Sequence, residues 1–356
     1  MASLATALVL GASLAGAGSA SAQPGFEFDR VAGIDRYETA ARAAQRYWDG
    51  WDSYQNTVIV ANGEPGHYAD ALSANYLAGC LNAPILLTHT NVTPQFTLNK
   101  LQDLSDDSDG FDIIIVGGTG VVSAAQRNAL DGEGWDDDSV TRIGGADRFA
   151  TNANVINSDF CDDSDDVGVI ATGMDFPDAL GAGPVAYEGH ALGLSRTNSI
   201  DDGVVNALVN NGVDSVIVLG GESVVGHEVV TRLDDAGIDF EQRIAGTDRS
   251  GTSTELADYA MENFGFSNWR ANVASGYPAG GGADALGGGP MTGGGWYYPH
   301  PMLITRDVNN PGAVTPWLED NAYNLGNGDR HSFIFGGPVA VSLDAEQVME
   351  NAAKFG

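Results

Sequence analysis

Arg30-Val31-Ala32-Gly33-Ile34-Asp35-Arg36-Tyr37-Glu38-Thr39 returns as Arg142-Ile143-Gly144-Gly145-Ala146-Asp147-Arg148-Phe149-Ala150-Thr151. It returns again as Arg243-Ile244-Ala245-Gly246-Thr247-Asp248-Arg249-Ser250-Gly251-Thr252. The shared pattern is R-[VI]-x-G-x-D-R-x-x-T. The openings lie roughly 100–110 residues apart, too long for a solenoid unit and right for a small domain.

Each copy then carries the same landmarks in the same order. An apolar run comes first (Thr57 to Ala61, Val167 to Ala171, Ala271 to Ala274), followed by Asp-Ala-Leu at Asp70, Asp178 and Asp284. A second run includes Ile85-Leu86-Leu87, Ala191-Leu192-Gly193-Leu194 and Leu303-Ile304. A third ends in a glycine pair: Gly117-Gly118, Gly220-Gly221, Gly336-Gly337. The runs are short and β-branched, which predicts strands buried on both faces. Arg36 to Tyr47 and the stretches after Asp70 and Gly120 predict helices, the first capped by Asp35 with Glu38 completing a capping box. Strands alternating with helices predict an α/β fold: three tandem units with small parallel sheets. Copy three is glycine-rich over residues 276–295, so its helix there should be shorter, looser or packed against another backbone. The boundaries are a leader over 1–22, a linker over 23–29, and repeats over 30–141, 142–242 and 243–356.

The formal net charge is −32, from 48 Asp+Glu against 16 Lys+Arg, and the only lysines are Lys100 and Lys354. With 43% hydrophobic residues the chain can build proper cores, so this is not a disordered acidic tail. The balance fits a protein that stays soluble in high salt, from an extreme halophile. Nucleic acid is argued against, because no basic face meets phosphates. Leu4 to Gly18 followed by Ala20-Ser21-Ala22 reads as an export signal. No other stretch is long and apolar enough to span a bilayer. Cys80 and Cys161 leave two readings open, one inter-domain disulfide or two buried thiols. Asn91-Val92-Thr93 is a glycosylation acceptor pattern.

The ordered landmarks, three times over, resemble the cell wall-binding repeat type two family. The resemblance implies Rossmann-like units about a pseudo-threefold axis that anchor surface proteins on an anionic wall polymer. It also associates the I-L-L segment with polymer attachment. Ile85, Leu86 and Leu87 match it well, Leu303 and Ile304 partly, and copy two poorly.

Four groups are candidate sites. Arg30, Asp35, Arg36, Arg142, Asp147, Arg148, Arg243, Asp248 and Arg249 read as structural ion pairs and caps joining neighbouring domains, with anion binding as the other reading. The glycine turns read as tight turns rather than phosphate cradles. The Asp-Ala-Leu carboxylates read as helix caps or arginine partners rather than acids, bases or metal ligands. Trp296, Tyr297 and Tyr298, unique to copy three, suit stacking on sugars or packing over the glycine-rich helix. No metal or cofactor is expected. The histidines (His67, His89, His190, His227, His300, His331) hold no equivalent positions, and no nucleophile with a positioned base stands out. The expectation is a non-catalytic, exported, monomeric protein that binds envelope polysaccharide or surface glycoprotein. The alternatives are an exported hydrolase, or a sugar- or phosphate-binding module with its site at a domain junction.

Overall fold

The structure is a computed structural model. It describes residues 26–50, 57–106, 111–132, 139–161, 165–175, 177–276, 282–294, 298–327 and 331–355. The expected leader over 1–22, and Trp296 and Tyr297, lie outside the described residues.

The first repeat runs β1 (Phe28–Val31), α1 (Arg36–Asp49), β2 (Thr57–Asn62), α2 (Tyr68–Leu81), β3 (Ile85–Thr88), α3 (Gln95–Asp106), β4 (Asp112–Val116) and α4 (Ala124–Gly132). The second runs β5 (Val140–Ile143), α5 (Arg148–Ile156), β6 (Val167–Thr172), a 3-10 turn (Leu180–Ala182) passing into α6 (Gly183–Tyr187), β7 (Leu192–Ser195), α7 (Asp202–Asn210), β8 (Ser215–Leu219) and α8 (His227–Asp234). The third runs β9 (Asp239–Ile244), α9 (Arg249–Asn263), β10 (Asn272–Ser275), a 3-10 turn (Gly282–Ala285), α10 (Gly289–Gly293), β11 (Met302–Thr305), α11 (Val314–Asn327), β12 (Ser332–Phe335) and α12 (Leu343–Phe355).

The expected α/β fold with three small parallel sheets is present. The sheet orders are β3-β2-β4-β5, β7-β6-β8-β9 and β11-β10-β12-β1. The fourth strand of each comes from the opening of the next repeat. β5 and β9 complete the first and second sheets, and β1 returns to complete the third, with Phe28 opposite Ser332 and Val31 opposite Phe335. Repeat and sheet are therefore offset by one strand, and this offset stitches each unit to the next and closes the ring. The inner strand residues are apolar and buried on both faces because helices cover both sides.

The units meet at their centre through the helical segments after Asp-Ala-Leu. α2 packs on α6, α6 on α10 and α10 on α2. This explains the glycines of copy three. A Cβ on Gly289 would fall 1.9 Å from the Asn75 side-chain oxygen and 3.0 Å from the Gly183 carbonyl carbon. Backbone meets backbone there, so α10 is short and packed rather than loose. Copy two is shortened in the same place, which its sequence did not announce. One hydrophobic core runs through all three units, with satellite cores beneath α11 and α12 and beneath α3. Cys80, at the end of α2, and Cys161, beyond α5, form a disulfide with Cα atoms 5.2 Å apart, which ties unit one to unit two. No helix among the described residues is long and apolar enough to cross a membrane.

Candidate functional site

The repeated motif builds the same junction three times. Its glycine (Gly33, Gly145, Gly246) lies against the first turn of the following helix, where a Cβ on Gly33 would come within 2.2 Å of Glu38. Its aspartate is the N-cap. Asp35 accepts from the amides of Tyr37 and Glu38, Asp147 from Phe149 and Ala150, and Asp248 from Ser250 and Gly251. The Glu38 side chain reaches one residue further back than expected, to the amide of Ile34 at 2.8 Å.

The arginines mainly hold carbonyls rather than carboxylates. The first arginine of each motif donates to the glycine that ends the preceding sheet: Arg30 to Gly336 at 2.9 Å, Arg142 to Gly117 at 2.6 Å, and Arg243 to Gly220 at 2.7 Å. These glycines have φ of 99°, 126° and 93°, a conformation that side chains resist. The second arginine donates to the glycine after the second strand of its own repeat: Arg36 to Gly63 at 2.8 Å, Arg148 to Gly173 at 2.6 Å, and Arg249 to Gly276. The ion pairs expected for the motif are confined, among the described residues, to Arg30 with Glu346 at 2.7 Å, and to Asp147 and Asp248 with Arg196 and Arg306 at 3.5 and 3.3 Å.

The Asp-Ala-Leu carboxyls are the part of the junction that the sequence undervalued. They are not N-caps; Asp70 sits in the first turn of α2, whose N-cap is His67. Each carboxyl instead meets the motif threonine of the next repeat: Asp70 with Thr151, Asp178 with Thr252, Asp284 with Thr39. Each also lies under the glycine turn of its own repeat. Burial pushes Asp70 up to about 7 and Asp284 up to about 6, and raises Asp178, against the opposing pull of the threonine and of Arg148, Arg36 and Arg249 respectively. The signal was available: a threonine and an aspartate recur in every copy in register.

At the first junction this arrangement borders an open cleft of about 360 Å³, lined by Gly66, His67, Asp70, Gly118 to Val121, Arg148 and Thr151, among others. A second lobe of about 170 Å³ continues past Arg148 to Leu72, Gly173 and Met174. The two lobes share Gly66, Ala69 and Arg148. The α2 N-terminus, whose N-cap His67 makes no side-chain cap hydrogen bond, opens on this cleft beside the Arg148 guanidinium and the buried Asp70 carboxyl.

The edge strands β3, β7 and β11 are each followed by a basic residue, His89, Arg196 and Arg306 respectively. The His89 ring nitrogen lies 2.8 Å from the Tyr37 hydroxyl and 3.1 Å from Glu64, while Arg196 stacks on Phe149 at 4.0 Å. Hydrogen bonds from Thr90 hold Glu64 down at about 2, and burial lifts Tyr37 to about 12.

The apolar candidates lie elsewhere. Ile85, Leu86, Leu87, Leu303 and Ile304 are all 0% exposed. β3 and β11 stand at the edges of their sheets, but helices cover them, so these side chains face the core. Tyr298 is half exposed. Asn91 is exposed in the loop after β3. Among the described residues, no group of three or more His, Cys, Asp and Glu is placed to hold a metal ion.

Residues 30–126, 142–230 and 243–346 match the profile of cell wall binding domain 2 (CWB2), three repeats over most of the chain. The chain belongs to the CWB2 family. Among solved structures, this CWB2 protein resembles Cwp8 from Clostridium difficile (21% identity, TM-score 0.75, covering 93% of this chain and 52% of that one). It also resembles Cwp6 from Clostridium difficile (23% identity, TM-score 0.72, covering 94% and 48%). Among curated relatives it is 28% identical to the N-acetylmuramoyl-L-alanine amidase LytC of Bacillus subtilis over 249 residues, which is 70% of this chain and 45% of that protein. It is 32% identical to the amidase enhancer of Bacillus subtilis over 175 residues, 49% of this chain and 22% of that protein. The chain thus spans less than half the length of the curated relatives it matches.

Proposed function

We propose that the three units form a non-catalytic attachment body at the cell surface, and that envelope glycopolymer lies in the clefts where one unit meets the next. The observation that carries this reading is the first-junction cleft. It offers amide donors, the Arg148 guanidinium and the Asp70 carboxyl to a ligand rich in hydroxyl and acidic groups. The buried Ile85-Leu86-Leu87 and Leu303-Ile304 strands serve binding indirectly, by fixing the strand ends that carry His89 and Arg306. Trp296, Tyr297 and Tyr298 add aromatic contact in repeat three. Export by the leader, a monomeric ring of three units and a halophilic source complete the proposal. At a net charge of −32, binding to an acidic polymer should strengthen as salt screens the repulsion.

The test is cosedimentation with purified envelope from the producing organism at multimolar salt. Wild-type protein should pellet, and Arg148→Gln should pellet at least tenfold less while keeping its melting temperature within a few degrees. No enrichment of the wild type would sink the proposal. Release of reducing ends or free amines from the same envelope would favour the hydrolase alternative, which the partial match to an amidase keeps worth testing.

A further inference from the structure

We infer that unit three carries a second glycan site, separate from the junctions, in which Trp269 and Tyr298 receive a neutral pyranose. Both side chains are 50% exposed, and their rings meet edge to face with centroids 5.6 Å apart and planes at 79°. A flat base stacks best between parallel rings. A right-angled corner instead leaves one ring face and one ring edge open, which suits the C–H face of a sugar ring whose hydroxyls point aside.

The corner is preorganised. The Ser267 amide donates to Pro299 O at 2.9 Å, and the His300 ring pairs with Ser267 O at 3.0 Å, so the two loops are tied together. Burial holds His300 down at about 4, so it stays neutral beneath them. Asn268, next to Trp269 in the chain, donates to Asn321 at 2.7 Å. The neighbouring cation, Arg270, is only 4% exposed and turned inward. The surface thus offers aromatic groups without positive charge, on a chain whose own charge repels polyanions.

Comparison with unit two sharpens the case. The strand register aligns Asn272 and Met302 with Val169 and Leu192. Trp269 and Tyr298 then occupy the places of Asp166 and Glu188, while His300 matches His190, which is also buried against a backbone carbonyl. Unit three keeps the scaffold and replaces two acids with two aromatics, in a chain that carries acids almost everywhere else. Both rings precede their strands, whereas the junction turns follow theirs. The strands are parallel and four residues long, so within unit three the aromatic corner and the junction turn lie at opposite ends of the strands, about 13 Å apart.

The test is titration of the full chain with chitotetraose, cellotetraose and polygalacturonate, read by tryptophan fluorescence in multimolar salt. A saturable change with at least one neutral tetrasaccharide is expected. Trp269→Ala and Tyr298→Ala should each weaken it at least tenfold, and Trp269→Phe should restore most of it. Arg148→Gln, which probes the junction proposal, should leave it unchanged, so the two proposals fail separately. No saturable response to either neutral sugar, an undiminished response in Trp269→Ala, or tighter binding of polygalacturonate would each overturn the inference. So would a dimer in sedimentation that Trp269→Ala abolishes, because the rings would then be covered by a second copy.

Discussion

The first and third junctions use the same ten-residue motif to solve different problems. At the first, the chain runs on from β4 through α4 to β5, and the Cys80–Cys161 disulfide adds a covalent tie. At the third, β1 must return from the other end of the chain, and only noncovalent contacts hold it. The arginines register the difference. Arg30 donates to Gly336 O, Val341 O and Glu346, the last at 3.1 and 2.7 Å. Arg142, its counterpart, donates to Gly117 O, and its buried Nη2 has no hydrogen-bond partner among the described residues. Where α12 offers Glu346, the matching position of α4 holds Arg127, and burial together with that neighbouring charge lowers the Arg142 pKa. A junction secured by covalent chain tolerates an arginine with fewer acceptors, whereas the one that closes the ring supplies Arg30 with two carbonyls and a carboxylate.

The largest effect should come from the covalent side. The disulfide spans 81 residues, and chain-entropy reasoning gives it about 4 kcal/mol. Cys80→Ser/Cys161→Ser should lose about that much in denaturant unfolding, and reductant should bring the wild type down to the variant. Equal stability of the two proteins would mean that the continuous chain alone secures the first junction.

The buried carboxyl sharpens the same junction. Asp70 is raised from 3.8 to about 7, so the folded state prefers its protonated form. Its contribution to stability is full below about pH 4 and is lost as pH rises toward 7 and beyond. Asp70→Asn should therefore match the wild type near pH 4 and exceed it at pH 8, by on the order of 2–4 kcal/mol. A variant less stable than wild type at pH 8 would show that the Asp70 charge, paired with Arg148, holds the cleft together.

On the noncovalent side, Glu346→Ala should cost about 2–3 kcal/mol, because it strands the part-buried Arg30. Hydrogen exchange should locate the loss in β1 and β12. An equal loss in β5 would contradict the separation of the two junctions.

The sequence carried the ring's components but not its closure. Apolar runs ending in Gly-Gly announced the strands, and Asp35 announced a cap, because these depend on local pattern and local hydrogen bonds. The one-strand offset was invisible, since nothing local says that β1 pairs with a strand some 300 residues away. The glycine-rich stretch of copy three was legible as a packing constraint, though its partner, Asn75 of copy one, was not. Of the candidate site, the motif arginines were seen and their acceptors were not, because a backbone carbonyl leaves no trace in sequence. The Ile85-Leu86-Leu87 strand shows the reverse case, a burial that the triplet itself left open. A repeated apolar triplet looks the same whether it faces a ligand or a core.

The smallest predicted effect asks whether the caps belong to the comparison at all. Asp35 lies at the closing junction and Asp147 at the covalent one, yet each accepts from two amides at 2.9 to 3.0 Å. Asp147 also meets Arg196 at 3.5 Å, an exposed pair worth little. Asp35→Ala and Asp147→Ala should therefore each cost about 1 kcal/mol in thermal or denaturant unfolding, the usual worth of a cap. A markedly larger loss for Asp35→Ala would mean that the turn between β1 and α1 is set by the cap itself. Ring closure would then begin at the helix start rather than at Arg30.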